Sequence, residues 1–543
     1  MLRTTRLEEM VNPARLQELM NKLPSAILNL PILASLVVFY VLVSYTYAWF
    51  RLRHIPGPFL ASFSYLYILW TELGFRQGDR MGDLCKKYGN LVRIGPNDVL
   101  TGDPDFVRRI NGARSRYSRA QYYRSTRLTA DHDNLFSITD TGAHDRLKAR
   151  MTYGYGGKDV PSMESDMNEV LSLLVHILKF QYASSGRTVD FATLSRYFAL
   201  DVITKIAYGE EFGFMKSDQD LYGIVYEGQG FMKAMAISAE VPWLSALFIN
   251  PTLQRLFGPR PDDKRGFGVT LGLAKKVVGE RFGPEAKDKM DMLASLDSQP
   301  RGSFVRHGLT QRECEAEVPF QIIAGSDTTA RTIRGTMLYL MAAPNAYHTL
   351  QKEIDNAVRQ GIVSNPVRVE EAKRLPYLQG CIYEGLRLSV PVTILGFKQC
   401  PPEGLKDPSR YRTRYADSCG AGDTTEGHSI PGGTRVAVAA KSLMTSAKVF
   451  GDDADVFRPE RWLNLDIDTK RVMTDTAELI FGYGRWACSG KPVAMIELNK
   501  VFIQLVNPQK PFDQCDNINI HMDRGMWVRV TDRNLTGGAT NAY

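Results

Sequence analysis

From Leu23 to Phe50 the chain reads LPSAILNLPILASLVVFYVLVSYTYAWF, a run without one charged side chain. No other stretch restricts the fold so severely. In hydrocarbon every backbone N–H and C=O must find its partner within the segment, which leaves a helix as the solution for a single span. About 20 apolar residues cross a bilayer, so the run suffices even if Pro24 and Pro31 shorten it. Tyr45, Tyr47 and Trp49 close it in the manner of an interfacial aromatic belt, and Arg51 and Arg53 follow. A cleaved signal peptide is the competing reading. Its apolar region is shorter and ends on small residues, which favours a retained anchor here. Arg3, Arg6, Arg15 and Lys22 precede the span, so the positive-inside count leaves its orientation open. The expected organisation is a tail over 1–22, a transmembrane anchor over 23–50, a proline-rich elbow over 51–58 and one catalytic domain over 59–543.

The elbow carries Pro56 and Pro58 around Gly57, residues that fix φ and end a helix. Beyond it, EVLSLLVHILKF and LSRYFALDVITKIAYG place apolar residues at three- and four-residue steps, so the chain to about 395 is mainly helical. GNLVRIGPNDVLTG, GTRVAVAA and GMWVRVTDR predict short strands. Residues 401–433 are polar and rich in turn formers and read as a long surface loop. The formal charge of +8 comes from 67 basic and 59 acidic residues without a Lys/Arg block. That excludes a nucleic-acid stripe and leaves at most a basic docking face. The seven cysteines, an odd number, form no C-x-x-C pair and no metal-finger spacing, which argues against a disulfide framework and fits a reducing compartment better.

Among those cysteines only Cys488 has neighbours that suggest chemistry. FGYGRWACSG surrounds it with Gly482, Gly484 and Gly490, Arg485, and the flat surfaces of Phe481 and Trp486. Glycines there let the backbone approach a planar group closely and take positive φ. PVAMIELNK then reads as a helix whose free N–H groups and positive dipole end favour a thiolate. Farther upstream, IIAGSDTTA puts Asp327 and Thr328 in a helical pattern that they and Gly325 disfavour. A threonine hydroxyl bonded to the carbonyl one turn back loosens a helix and gives an acid room to relay protons. The same letters fit a loop ending in an aspartate N-cap. Glu384 and Arg387 stand one turn apart, but so do Glu371 and Arg374, and Arg461 follows Pro459 and Glu460. Singly, each is an ordinary surface charge.

Together and in this order, Asp327–Thr328, Glu384-x-x-Arg387, Arg461 and Cys488 resemble the cytochrome P-450 family of haem-thiolate monooxygenases. The resemblance runs from the anchor and IPGP elbow to the C-terminus. DNLFS, RMTYGYGGKD and LVNPQKPF look most like fungal members of secondary metabolism. The resemblance implies a mainly α fold with small β-sheets (α+β) behind the transmembrane helix. It implies heme b, iron protoporphyrin IX, held by the Cys488 thiolate, with Phe481, Gly484, Arg485, Trp486, Lys148 and Lys398 around the cofactor. Asp327 and Thr328 would pass protons to the reacting oxygen. Glu384, Arg387 and Arg461 would form a buried structural triad that locks the cysteine loop. The implied partners are O2, a small lipophilic substrate and the membrane. Nothing in the chain resembles a flavin or dinucleotide site, so the implied electron donor is NADPH-cytochrome P-450 reductase, docked near Arg485 and Lys491. The implied location is the endoplasmic reticulum membrane, single-pass, with the catalytic domain cytosolic. Pocket walls are expected from FMKAMAISAEVPW, Gln321, Ala324, VPVTILG and HMDRGMW.

The chain also departs from the family pattern. Trp486 stands where a basic residue normally contacts a haem propionate. Lys148 and Lys398 stand where arginine is commoner, which keeps the charge but loses the bidentate fork; a less tightly held haem is the expectation. Pro319 is expected to kink or start the long distal helix. IELNKVFIQLVNPQKPF is shorter than in relatives, from a natural shortening or an error in the predicted exon structure. Two alternatives follow: a peroxide isomerase or dehydratase on the same fold that needs no reductase, against which Asp327–Thr328 speaks, and an inactive haem-binding pseudoenzyme.

Overall fold

The computed structural model describes residues 30–74, 76–283, 291–293, 303–401, 422–425, 427–503, 507–508, 513–517 and 520–529. The N-terminal tail, Leu23–Asn29 and 402–421 of the expected surface loop lie outside them. The first described helix, α1 (Leu30–Leu52), is apolar all round, with Leu36, Phe39 and Leu42 more than half exposed. Its Ala34–Leu52 portion is long and apolar enough to cross a membrane by length and composition. The helix continues two residues past the expected end and takes Arg51 and Leu52 from the elbow. Its last turn is tied to the domain. Arg93 donates to the carbonyls of Ala48 at 3.0 Å and Trp49 at 3.3 Å, satisfying acceptors that a helix end leaves open. Arg51 donates to Asn97 Oδ1 at 3.0 Å, and Leu52 is fully buried. In the elbow, Gly57 lies against the Arg93 carbonyl, where a Cβ would collide.

The main sheet has strand order β1 (Leu91–Gly95), β2 (Asp98–Thr101), β8 (Arg435–Ala439), β5 (Ile394–Gln399), β3 (Ser118–Arg119). The β2–β8 pair is parallel and the others antiparallel. The sequence-predicted strands around 91–101 and 435–439 are therefore present. The register sets Arg119 of β3 opposite Lys398 of β5, which brings two cations from distant chain segments side by side. A second sheet joins β4 (Thr188–Asp190), β12 (Trp527–Arg529) and β9 (Asn507–Pro508). The expectation of one loop over 401–433 needs correction at its end. There β6 (Gly422–Thr425) and β7 (His428–Pro431) form a hairpin, whose register holds Thr425 opposite His428 around a tight turn. A further hairpin pairs β10 (Asp513–Asn517) with β11 (Ile520–Gly525).

The helical part is organised on α6 (Gln311–Ala342), 32 residues and about 48 Å long. Pro319 does not start it. Thr310 and Glu313 form a reciprocal capping box that begins the helix eight residues earlier, and Pro319 sits inside, buried between Val318 and Phe320. Proline's local cost is outweighed by packing on both sides of it. Against α6 lies α4 (Phe191–Tyr208), buried along nearly its whole length. They pack tightly at Gly325, where a Cβ would come within 2.9 Å of Ile203. Around this pair stand α2 (Thr141–Tyr155), α3 (Met163–Ile177), α5 (Phe267–Phe282), α7 (Pro344–Arg359), α8 (Pro376–Leu388) and α9 (Lys491–Val501).

Candidate active site

The glycine-rich loop takes its shape from two residues of positive φ, Gly482 at 77° and Gly484 at 59°. A Cβ on Gly484 would meet the Asn111 carbonyl at 2.6 Å, so the loop and the chain at 111–113 close up only with glycine there. Gly490 is different from the expectation: its φ is −78°, ordinary for any residue, and it serves as the N-cap of α9. The Cys488 amide donates to the Phe481 carbonyl at 2.6 Å, folding the loop back on itself. Of the described cysteines whose burial is defined, Cys85, Cys314, Cys381 and Cys400 are buried and Cys488 is exposed. Protein still crowds the Cys488 sulfur, so desolvation pushes its pKa up. The amides of Gly490 and Lys491, at the start of α9, and the ammonium groups of Lys148 and Lys491 oppose that shift. The expected helix after the cysteine thus aims its N-terminus at the thiol.

Above the loop, Trp486 is the centre of a cluster of cations. Lys398 Nζ lies 3.7 Å and the Arg119 guanidinium 4.5 Å from its ring centroid, and the His144 ring lies 4.4 Å away. Contacts of this kind return up to about 2 kcal/mol each when desolvated. Lys398 is 2% exposed, and its ammonium is buried without a hydrogen-bond partner. Arg119 gives one Nη to the carbonyls of Leu135 at 2.8 Å and Phe136 and Ile138 at 2.9 Å, while its buried Nε has no acceptor. Lys148, on α2, donates to the carbonyls of Arg485 at 2.8 Å and of Ala487. It braces the cysteine loop. Arg485 turns sideways to the Ala113 carbonyl and to Asp145 at 3.6 Å, and its Nε too is buried without an acceptor. Burial and the Arg119 charge hold the His144 imidazole down to about 4, so it stacks on Trp486 as a neutral ring.

The distal side is set by α6. Asp327 and Thr328 lie in its middle, which removes the loop-and-cap alternative. Thr328 Oγ1 donates to the Ala324 carbonyl at 2.8 Å, the back-bond expected of it, although the helix stays α throughout. Asp327 is held by Arg196 of α4 through an ion pair of 2.7 Å, with Arg196 6% and Asp327 22% exposed. The acid is fixed yet reachable. Nearly two turns earlier, Gln321 donates to Tyr155 Oη at 3.0 Å and accepts from Tyr208 Oη at 3.3 Å.

The three charges of the expected triad meet. Glu384 and Arg387, both fully buried on α8, pair at 2.6 Å, and Arg461 reaches the same carboxylate at 3.2 Å. Trp462 Nε1 at 2.9 Å and the Arg458 amide at 3.0 Å complete the acid. The arginines spend their remaining donors on the Met444 carbonyl and on Asp453. A route to the cysteine follows. Tyr383, stacked on Trp462, donates to Glu478, which pairs with Lys491 at 2.7 Å. By contrast Glu371 pairs with Arg368, not Arg374.

These features fit a haem-thiolate site. The sulfur is the exposed one, the loop's glycines admit a flat group, and Arg119, Lys398 and Arg485 each carry a buried donor with no acceptor. A dianionic porphyrin meets that set. The cytochrome P450 family model matches residues 56–403 and 417–508. The chain is 42% identical to cytochrome P450 monooxygenase ABA1 of Pyricularia oryzae over 92% of its own length and 96% of that protein's. Against cytochrome P450 monooxygenase aba1 of Botryotinia fuckeliana the identity is 40%, over 89% and 92%. Against cytochrome P450 monooxygenase mfmA of Annulohypoxylon moriforme it is 28%, over 93% and 97%. The chain belongs to the cytochrome P450 family, and it is a haem-thiolate monooxygenase with heme b as cofactor. Such enzymes take O2, a redox partner and a small substrate.

Arg196, Arg119 and Asp453 are the site residues that sequence reading missed. An arginine on the otherwise apolar face of LSRYFALDV was the available signal for the first. No local pattern marked the other two.

Proposed function

We propose that this monooxygenase is held in the endoplasmic reticulum membrane by α1, with its catalytic domain in the cytosol. There it oxygenates a small lipophilic intermediate of secondary metabolism with electrons from NADPH-cytochrome P-450 reductase. The observation that carries the reading is the exposed Cys488 thiol set beside helix amides and cationic donors that lack acceptors. The thiol of Cys488 lies at the start of α9, the cation cluster beside it, and Asp327–Thr328 on α6.

Bound haem supplies redox-active iron, and the thiolate's electron donation favours O–O cleavage. The chain supplies the rest. Asp327 takes protons from the surface side while Arg196 fixes its carboxylate. Thr328 Oγ1, released from the Ala324 carbonyl, hands a proton to the distal side. Gly325 lets α4 approach and keep Arg196 in reach. Lys398, Arg119 and Lys148 neutralise the propionates or brace the loop that carries the ligand. Arg109, Arg114 and Arg116 are exposed beside the cysteine loop, with Lys491 partly exposed, and this basic face supports docking of an acidic reductase surface. Charge reversal at Arg114 and Arg116 together should slow electron transfer from the reductase while leaving haem content intact; unchanged transfer would remove the docking assignment. For the substrate, the direct test is a Soret shift on titrating candidate lipophilic intermediates into the purified enzyme, backed by the metabolites that accumulate when the gene is deleted.

A further inference from the structure

Lys398 is among the described residues whose charged atoms are buried without a hydrogen-bond partner. It lies one residue from the end of β5, 2% exposed, and its Nζ has no hydrogen-bond acceptor. Every element packed round it presents a cation or a ring. Arg119 faces it from β3, directly opposite in the register. Trp486 and Arg485 face it from the cysteine loop, Lys148 and His144 from α2, and Tyr123, whose ring centre is 5.6 Å away, from the turn after β3. The one nearby carboxylate on α2, Asp145, is turned to His144 at 3.1 Å and Arg485 at 3.6 Å. Glu317 lies beyond Arg119 and binds the Leu135 amide. The Trp486 face is partial compensation for an ammonium and does not replace the lost water. Burial first, then the charges of Arg119, Arg485 and Lys148, hold its pKa well below the ordinary lysine range.

Arginine in this place would stay charged regardless; lysine can shed its proton. We propose that haem capture by this chain is coupled to proton uptake at Lys398, whose ammonium forms as a haem carboxylate comes to face it. The proton comes from bulk solvent, one N–H bond forms, and no electron moves. Loss of haem returns the proton. The inference rests on the haem assignment, and its test separates the two.

The full-length holoenzyme in detergent is mixed with excess apomyoglobin, and haem partition at equilibrium is read from absorbance between about pH 7 and about pH 9.5, below the ordinary lysine pKa. Protons released on transfer are counted with an indicator dye in weak buffer. Relative to K398R, the wild type should hold haem progressively less well as pH rises, by up to about tenfold per pH unit, and should release one more proton per haem lost. K398M, which has no proton to exchange, should match K398R in slope and proton count while holding haem less tightly at every pH. Equal slopes and equal proton counts in wild type and K398R would overturn the proposal, since Lys398 would then keep one protonation state with and without haem. Wild-type protein without a Soret band at any pH would overturn the haem assignment itself, and the proposal with it.

Discussion

Glu384 carries two guanidinium groups, an indole N–H and a backbone amide on one carboxylate. Its replacement by alanine strands two buried arginines at once, a loss of about 3–5 kcal/mol. Glu384→Ala should therefore yield little haem-loaded protein, read as the Soret absorbance of purified material per mole of chain. Asp327 has a different place, fixed by Arg196 but partly exposed. Asp327→Asn should keep haem content and thermal stability close to wild type while turnover falls about 10²-fold, the scale of a lost proton-transfer group. Turnover with a bound substrate, measured beside NADPH consumption, checks it; unchanged turnover would take the proton role from Asp327. At this scale the sequence spoke clearly wherever chemistry fixes a spacing. Cys488 shows among its glycines, whereas Glu384 and Arg387 share their spacing with Glu371 and Arg374 and were picked out only by the order of the family's motifs. Arg119 was silent because its importance comes from register: β3 sets it opposite Lys398, and nothing within SRAQYY signals that.

The long distal helix α6 balances a proline and a buried acid, Glu317, against dense packing. At Gly325, α4 comes so close that a side chain would strike Ile203. Gly325→Val should cost about 1–3 kcal/mol by overpacking, more than any helix-propensity difference recovers. It shows as a lower midpoint of thermal unfolding followed at the Soret band. Glu317, also on α6, is pushed up to about 8 by burial, with the Leu135 amide and Arg119 partly opposing. Below the ordinary glutamate range both folded and unfolded chains keep this proton. As pH rises from there to about 8 the unfolded chain releases it and the folded one holds it, so stability falls across that window, and above it the full penalty remains. Glu317→Gln keeps an acceptor for Leu135 and removes the penalty. The variant should gain on the order of 2–3 kcal/mol over wild type at about pH 9 and nothing near pH 4; equal midpoints across the range would contradict the assigned proton. The capping box at Thr310 was written in the sequence as T-x-x-E, yet Pro319 drew the reading toward a later start. A local helix breaker is legible, whereas the packing that overrides it is not.

In the whole molecule, α1 is both a candidate anchor and a structural neighbour of the sheet. The carbonyls of Ala48 and Trp49 occupy Arg93, and Arg51 reaches Asn97. A chain starting at Ser44 should therefore leave the membrane fraction and still load haem. A chain starting at Ile55 leaves Arg93 buried with two fewer acceptors and should unfold at a lower temperature, by about 1–3 kcal/mol. Equal stability of the two truncations would show that the last turn of α1 contributes nothing to the domain. The alternation of apolar residues predicted the helices and the three strand regions, because each repeats within one turn or one pleat. The hairpin at 422–431 was hidden because its letters are those of turns, and pairing across a tight turn supplies the rest.

The account stands on Cys488 as the thiolate beneath haem. Its most direct test is the carbon-monoxide difference spectrum of dithionite-reduced protein, recorded for the wild type and for Cys488→Ser. The wild type should give the long-wavelength Soret band characteristic of thiolate ligation, and the variant should lose it. The same band in both proteins would contradict the central claim.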